Sequence, residues 1–151
     1  MKTVNTIITG ESKTNLSLHE LVDDVIKKSS QIPVNSKSLI ENNVAGNLYI
    51  NTNEDIVASV IDGLLHSMII NATEGDIHIS AQELFGNTIK VFVRDNNCYN
   101  TYAVACNLKN MVPLAEQIGG FLNITNQRQK ITTLEFSFPV KKEEDRSGYD
   151  D

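Results

Sequence analysis

Residues 53–95 read NEDIVASVIDGLLHSMIINATEGDIHISAQELFGNTIKVFVRD, and this stretch decides the fold. Ile56, Val57, Val60, Ile61, Leu64, Leu65, Met68 and Ile69 recur at intervals of three and four, the apolar stripe of an amphipathic helix. Asn53 or Asp55 can accept from the free amides at its start, and Gly75 follows its end in a turn-like Glu-Gly-Asp. Ile77, Ile79 and Ala81 then alternate with polar residues, as do Ile89, Val91 and Val93 after an intervening Phe-Gly-Asn. That alternation predicts a β-hairpin whose second strand ends in Val-Arg-Asp.

The flanks extend the pattern. Ser17 and Glu20 have capping-box spacing, and Leu18, Leu21, Val22, Val25 and Ile26 line one face of a helix ending near Ser30. After Pro33, residues 38–41 and 47–50, joined through NNVAG, read as a strand pair leading into the long helix. Residues 96–101 form a loop. Residues 102–118 are helical in tendency, but Pro113 argues against one straight helix. A turn at 107–110 and a helix capped by Asn110 would leave Pro113 in its tolerant first turn. Gly119-Gly120 ends that helix. Residues 121–125 and 131–138 form a second hairpin around NQRQ. Three divisions follow: an N-terminal arm or edge strand at 1–14, a folded domain at 15–139, and a charged tail at 140–151 too poor in apolar residues to pack.

Composition bounds the function. The chain has 151 residues, 40% hydrophobic and 21% charged, as in one ordinary globular domain with a real core. A net charge of −6 and the lack of a basic cluster interleaved with aromatics argue against nucleic acid as a partner. No apolar run reaches membrane-span length, and the N-terminus lacks a signal-peptide pattern. Cys98 and Cys106 lack metal-site spacing and fit reduced cysteines in the cytoplasm.

The segments LSLHELVDDVI, VIDGLLHSMIINATEGDIHISA, VFVRDN, LAEQIGGFLNI and TTLEFSFP, in this order, resemble the ATP-binding core of the histidine-kinase/gyrase/MutL family, the GHKL or Bergerat fold. The resemblance covers residues 16–139 and implies an α/β (α+β) two-layer sandwich, with helices on one face of a mixed sheet. It also implies a nucleotide pocket, and the match there is incomplete. The family's helix carries Asn-Leu-Leu-x-Asn-Ala for Mg2+; this sequence has Gly63-Leu64-Leu65-His66-Ser67-Met68. Ser67 is a shorter-reaching oxygen donor for an ion that demands octahedral geometry. Asp95 matches the adenine-binding carboxylate and Thr132 the threonine that assists it. Asn97 and Tyr99 replace glycines that let backbone approach the nucleotide, and the nearest matches to the lid glycines are Ala105 and Asn107.

Asp95, Thr132, Ser67 and Asn97 thus form a vestigial pocket with no catalytic residue and no metal ligand. Asp95 at a strand end reads equally as a loop cap. Thr132 also suits a strand, and Ser67 a packing position. A hydrogen bond to a charged group contributes about 1.5–3 kcal/mol. Two such contacts, less the cost of association, leave an affinity near millimolar, about −4 kcal/mol. The expectation is a pseudo-ATPase with no cofactor, acting on an unidentified protein partner in bacterial signalling. The alternative uses ATP with Mg2+, as a sensor kinase or a small anti-sigma-factor-type kinase. His19-Glu20-Leu21 resembles a phospho-acceptor motif, and a strand-like arm at 1–14 would give a route to a homodimer.

Overall fold

The first helix, α1 (Leu18–Ser29), begins as its spacing predicts: the Ser17 hydroxyl accepts from the Glu20 amide at 3.3 Å. The computed structural model describes residues 16–29, 37–127 and 130–140; the strand-like run at 4–8, the rest of the 1–14 arm and the tail beyond 140 lie outside them. Leu18, Leu21, Val22 and Val25 are buried. The long helix α2 (Glu54–Ile70) is capped by Asn53, whose side-chain oxygen accepts from the Ile56 amide at 3.1 Å. Val57, Val60, Ile61, Leu64, Leu65, Met68 and Ile69 are buried on it. Truncating one of these leucines to alanine would cost about 2–5 kcal/mol, because the cavity adds to the lost transfer energy.

The hairpin follows as β4 (Asp76–Leu84) and β5 (Thr88–Asp95), antiparallel, with Ile77 opposite Asp95 and Leu84 opposite Thr88. The second hairpin, β6 (Phe121–Gln127) and β7 (Ile131–Pro139), has the predicted register of neighbours but a longer first strand. With β2 (Leu39–Asn42) they form a mixed sheet of order β2-β4-β5-β7-β6. Ile77, Ile79, Ile89, Val91, Val93, Leu134, Phe136 and Phe138 face the helices and are buried. Alternate residues point to the other, uncovered face. This is the two-layer sandwich the sequence predicts.

Two local expectations change. Residues 38–41 and 47–50 do not pair with each other. β2 lies parallel to β4, whereas β3 (Tyr49–Ile50) pairs antiparallel with β1 (Leu16–Ser17) in a separate ladder. Asn42 explains the divergence: its amide donates to the His19 carbonyl at 3.0 Å and to Asp23 at 2.8 Å, and its side-chain oxygen accepts from the Val44 amide at 3.0 Å. Those bonds carry the chain across α1 instead of back along β2. The region after Asp95 also differs. α3 (Thr101–Leu108) is capped by Asn100, a 3-10 turn follows at Lys109–Met111, and α4 (Val112–Glu116) carries Pro113 in its first turn. The residue before α4 is Met111, not Asn110, and it provides no side-chain cap. Gly119, at φ 74, ends α4, and the Gly120 amide returns to the Ala115 carbonyl at 2.9 Å. Val140 is buried, and its amide donates to the Asn87 carbonyl at 2.9 Å.

The β4–β5 turn holds Phe85 at φ 56 and Gly86 at φ 73, the left-handed pair of a type I′ turn. Phe85 is 94% exposed, so its ring earns no packing for a backbone conformation that costs about 1–2 kcal/mol outside glycine and asparagine. Phe85→Asn is expected to stabilise the fold by about 1 kcal/mol. Thermal unfolding would show this as a Tm rise of about 3 °C; an unchanged or lower Tm would refute it.

Candidate functional site

Asp95 ends β5 directly opposite Thr132 on β7, so the sheet register sets the two side by side. Asp95 is 1% exposed and Thr132 fully buried. One carboxylate oxygen of Asp95 accepts from two backbone amides, those of Asp76 and Asn97, each at 2.9 Å. It therefore ties the start of β4 to the turn after β5. The other oxygen is buried and has no hydrogen-bond partner. Asp95 is a loop cap through Oδ1, with Oδ2 left over.

Thr132 is engaged by residues the sequence did not single out. Its hydroxyl lies 2.8 Å from that of Thr101 and accepts from the Asn126 amide at 2.9 Å. The same Asn126 group also donates to Thr101 at 3.0 Å. Thr101 is the first residue of α3, so the Asn100 cap sets this contact by starting the helix beside the first residues of β7. Asn100-Thr101 as a helix start was the available signal; that Asn126 lies opposite Thr132 depends on hairpin register. Asn97 is tied to the loop before β4. Its side-chain amide donates to the Glu74 carbonyl at 2.7 Å, clasping the loop before β4. Tyr99 stands outward with the Lys130 ammonium 5.3 Å from its ring centre. Between Asp95 and α3 lie only residues 96–100, and Ala105 and Asn107 sit within α3 itself.

Gly63 and Ser67, the positions that the resemblance matches to the metal-binding asparagines, sit on α2. Ser67 is buried, and its hydroxyl has no hydrogen-bond partner, although its carbonyl accepts from the Asn71 amide at 2.8 Å. No hydrogen bond joins Ser67 to Asp95 or Thr132 among the described residues. Gly63 has a more telling neighbour. A Cβ placed there would stand 2.5 Å from the Met111 sulfur and 2.6 Å from its methyl, so Met111 lies where a side chain from this helix position would leave the backbone. A longer residue at Gly63 would have to displace a flexible thioether that packs against the core. Of the positions the resemblance assigns to a nucleotide, Asp95 keeps one unpaired carboxylate oxygen, while α2 offers a glycine under a methionine and one short hydroxyl. Among the described residues no cluster of His, Cys, Asp or Glu could hold a metal, and no helix is long and apolar enough to cross a membrane.

A polar cluster adjoins Asp95. Asp76 accepts from the Asn96 amide at 3.1 Å and lies 2.9 Å from the His78 ring, and these groups hold its carboxyl below the ordinary value, the Asn96 bond contributing most. His19, on α1, lies 2.8 Å from the Val44 carbonyl and 3.6 Å from Asp23, away from these residues in an ordinary surface network.

No family model matches the sequence, and no curated protein sequence matches it. Solved structures do match in fold. Histidine kinase AdeS from Acinetobacter baumannii superposes with a TM-score of 0.70 at 11% identity, over 85% of this chain and 67% of that one. A mycobacterial sensor histidine kinase, MprB, gives 0.63 at 10% identity, over 84% and 97%. Full-length ShkA in complex with AMPPNP gives 0.70 at 13% identity, over 85% of this chain and 31% of that one. The chain has the fold of histidine kinase catalytic domains.

Two measurements check the site. Asp95→Ala strands two backbone donors and is expected to lower stability by about 2 kcal/mol or more. Denaturant unfolding reads it, and a loss no larger than a surface substitution would remove the capping role. For Asp76, a folded-state pKa below 3.8 means its contribution is present above that value and is lost as pH falls through the folded pKa. Asp76→Asn is therefore expected to flatten the fall in stability between about pH 5 and 3; a variant with the unchanged acid limb would refute this.

Proposed function

We propose that this chain is a non-catalytic, histidine-kinase-like module that acts through protein contacts in bacterial signal transduction. The observation that carries the reading is the packing of Met111 against Gly63. The helix face that presents metal-binding asparagine in the resembling family is here filled by an apolar side chain from the following helical segment. The short link between Asp95 and α3 supports the same reading, because backbone amides that could cradle phosphates are folded into a helix. So does Thr132, whose hydroxyl is held by Thr101 and Asn126.

A second reading, an ATP-binding sensor or anti-sigma-factor-type kinase domain, draws on one specific feature. The Oδ2 atom of Asp95 is buried without a donor. Such an atom costs free energy unless something supplies a proton or an N–H, and the exocyclic amino group of adenine is a donor of the right kind. Asn97 would reach that pocket only if its clasp on Glu74 opened, and Ser67 would join it from α2.

Calorimetric titration with ATP and Mg2+ separates the two, with Asp95→Asn as the control because it keeps an oxygen for the two amides. The expected outcome is no saturable heat up to millimolar nucleotide. Micromolar binding by the wild type that Asp95→Asn abolishes would overturn the non-catalytic reading and make Ser67 the next residue to change.

A further inference from the structure

The sheet face that no helix covers collects its unpartnered donors in one place. Other charged side chains on this face are paired: His78 lies 3.1 Å from Glu41 and 2.9 Å from Asp76, and Lys90 meets Glu135 at 3.6 Å. Arg94 makes no hydrogen bond and no ion pair among the described residues. The Asn96 bond is the main cause that holds the Asp76 carboxyl low, and the Arg94 charge adds to it without a hydrogen bond. Register sets Arg94 on β5 between His78 on β4 and Thr133 on β7, and Thr133 opposite Thr125 on β6. In the next row Ser80 stands opposite Phe92. These side chains line a depression of about 510 Å3, within the range of small-molecule sites. The hydroxyls of Ser80, Thr125 and Thr133 make no hydrogen bond among the described residues either. Phe92 precedes Arg94 by two residues, so both side chains leave the sheet on the same side, about 7 Å apart at the backbone. Its ring is partly exposed there.

We infer that this depression binds a small, flat monocarboxylate, whose two oxygens meet the Arg94 guanidinium and whose apolar body lies on Phe92. A guanidinium presents parallel N–H groups at the spacing of a carboxylate, so an unpaired arginine selects that group over a point-like anion. The three hydroxyls supply donors for the remaining lone pairs. Charge limits the ligand further. Glu41, Asp76 and Glu135 stand on the same face, so a second negative charge on the ligand meets repulsion from three sides. That disfavours a phosphate monoester. Size is limited too: a protein surface laid across this face would desolvate the closed charge pairs as well, whereas a small ligand covers Arg94 and leaves them in water. Asp95 and Thr132 turn to the helix side of the same strands, where both are buried. The inference is therefore independent of whether the Asp95 pocket binds nucleotide.

The test follows amide chemical shifts of the full chain by NMR as sodium benzoate is added, with folding of each variant checked by circular dichroism. Saturable shifts are expected at Phe92, Arg94 and Thr133, with a Kd of about 1 mM, the strength open to so small a ligand. Phenyl phosphate, which carries a second charge, is expected to bind about threefold more weakly or worse. Arg94→Gln removes the charge at an exposed position, leaves the core untouched, and is expected to weaken benzoate binding by about tenfold. Arg94→Lys keeps the charge without the fork and is expected to fall between that variant and the wild type. No saturable shift at these residues up to about 20 mM benzoate would overturn the proposal. So would an Arg94→Gln variant that binds as the wild type does, or phenyl phosphate that binds as tightly as benzoate.

Discussion

The burial of α2 constrains nearly everything else. A helix of 17 residues with apolar side chains on more than one side cannot be satisfied by a sheet alone. The sheet takes Leu64, Leu65 and Met68 from below, α1 closes one flank, and α3 with the 3-10 turn closes the other. The second flank decides the chemistry. Closing it requires the chain to turn into helix soon after Asp95 and to bring Met111 down onto the one α2 position without a side chain. A glycine inside a helix costs about 1 kcal/mol relative to alanine. At Gly63 that cost is offset by the close approach of a partly buried thioether, an arrangement that any larger residue disturbs. Met111 therefore occupies the space that a side chain at this position of α2 would enter.

Asp95 illustrates how a residue can match a binding position for reasons of its own. Through Oδ1 it holds the Asp76 and Asn97 amides, and through them the junction of β4 and β5. The hairpin needs that carboxylate whether or not a nucleotide is bound, so the presence of aspartate here carries little information about binding. The information lies in Oδ2, which the fold leaves unpaired in a buried position. The same division holds at Thr132, where side chains from α3 and β6 take the hydroxyl and leave it less free to contact a base.

Most of the architecture was legible in the sequence because it is written in local periods. The stripe of α2, the alternation of β4 and β5, the Ser17 cap and the Gly119-Gly120 stop each depend on residues within a turn or two. The parallel docking of β2 on β4 was not legible: a short run such as LIEN carries no record of its partner, and Asn42, which diverts the chain toward α1, resembles any other loop asparagine. The neighbours of the candidate residues were illegible for the same reason. Thr132 is held by Thr101 and Asn126, and Gly63 lies under Met111, partners distant in sequence and set by helix starts and hairpin register.

The uncovered sheet face bears on how such a module can act. Across it, residues line up in rows: Glu41, His78 and Arg94 continue in register to Thr133 and Thr125, with Glu41 3.1 Å from His78, and Lys90 meets Glu135 at 3.6 Å. Phe92 sits among them, only partly exposed, flanked along its own strand by Lys90 and Arg94. Oppositely charged neighbours on a solvated face contribute little stability each, but together they make the face costly to desolvate and a poor site for an apolar partner. The helix face is spent on the core. Contacts that demand neither a new layer nor the stripping of charge are left to the sheet margin, where backbone groups meet a partner without displacing a paired side chain.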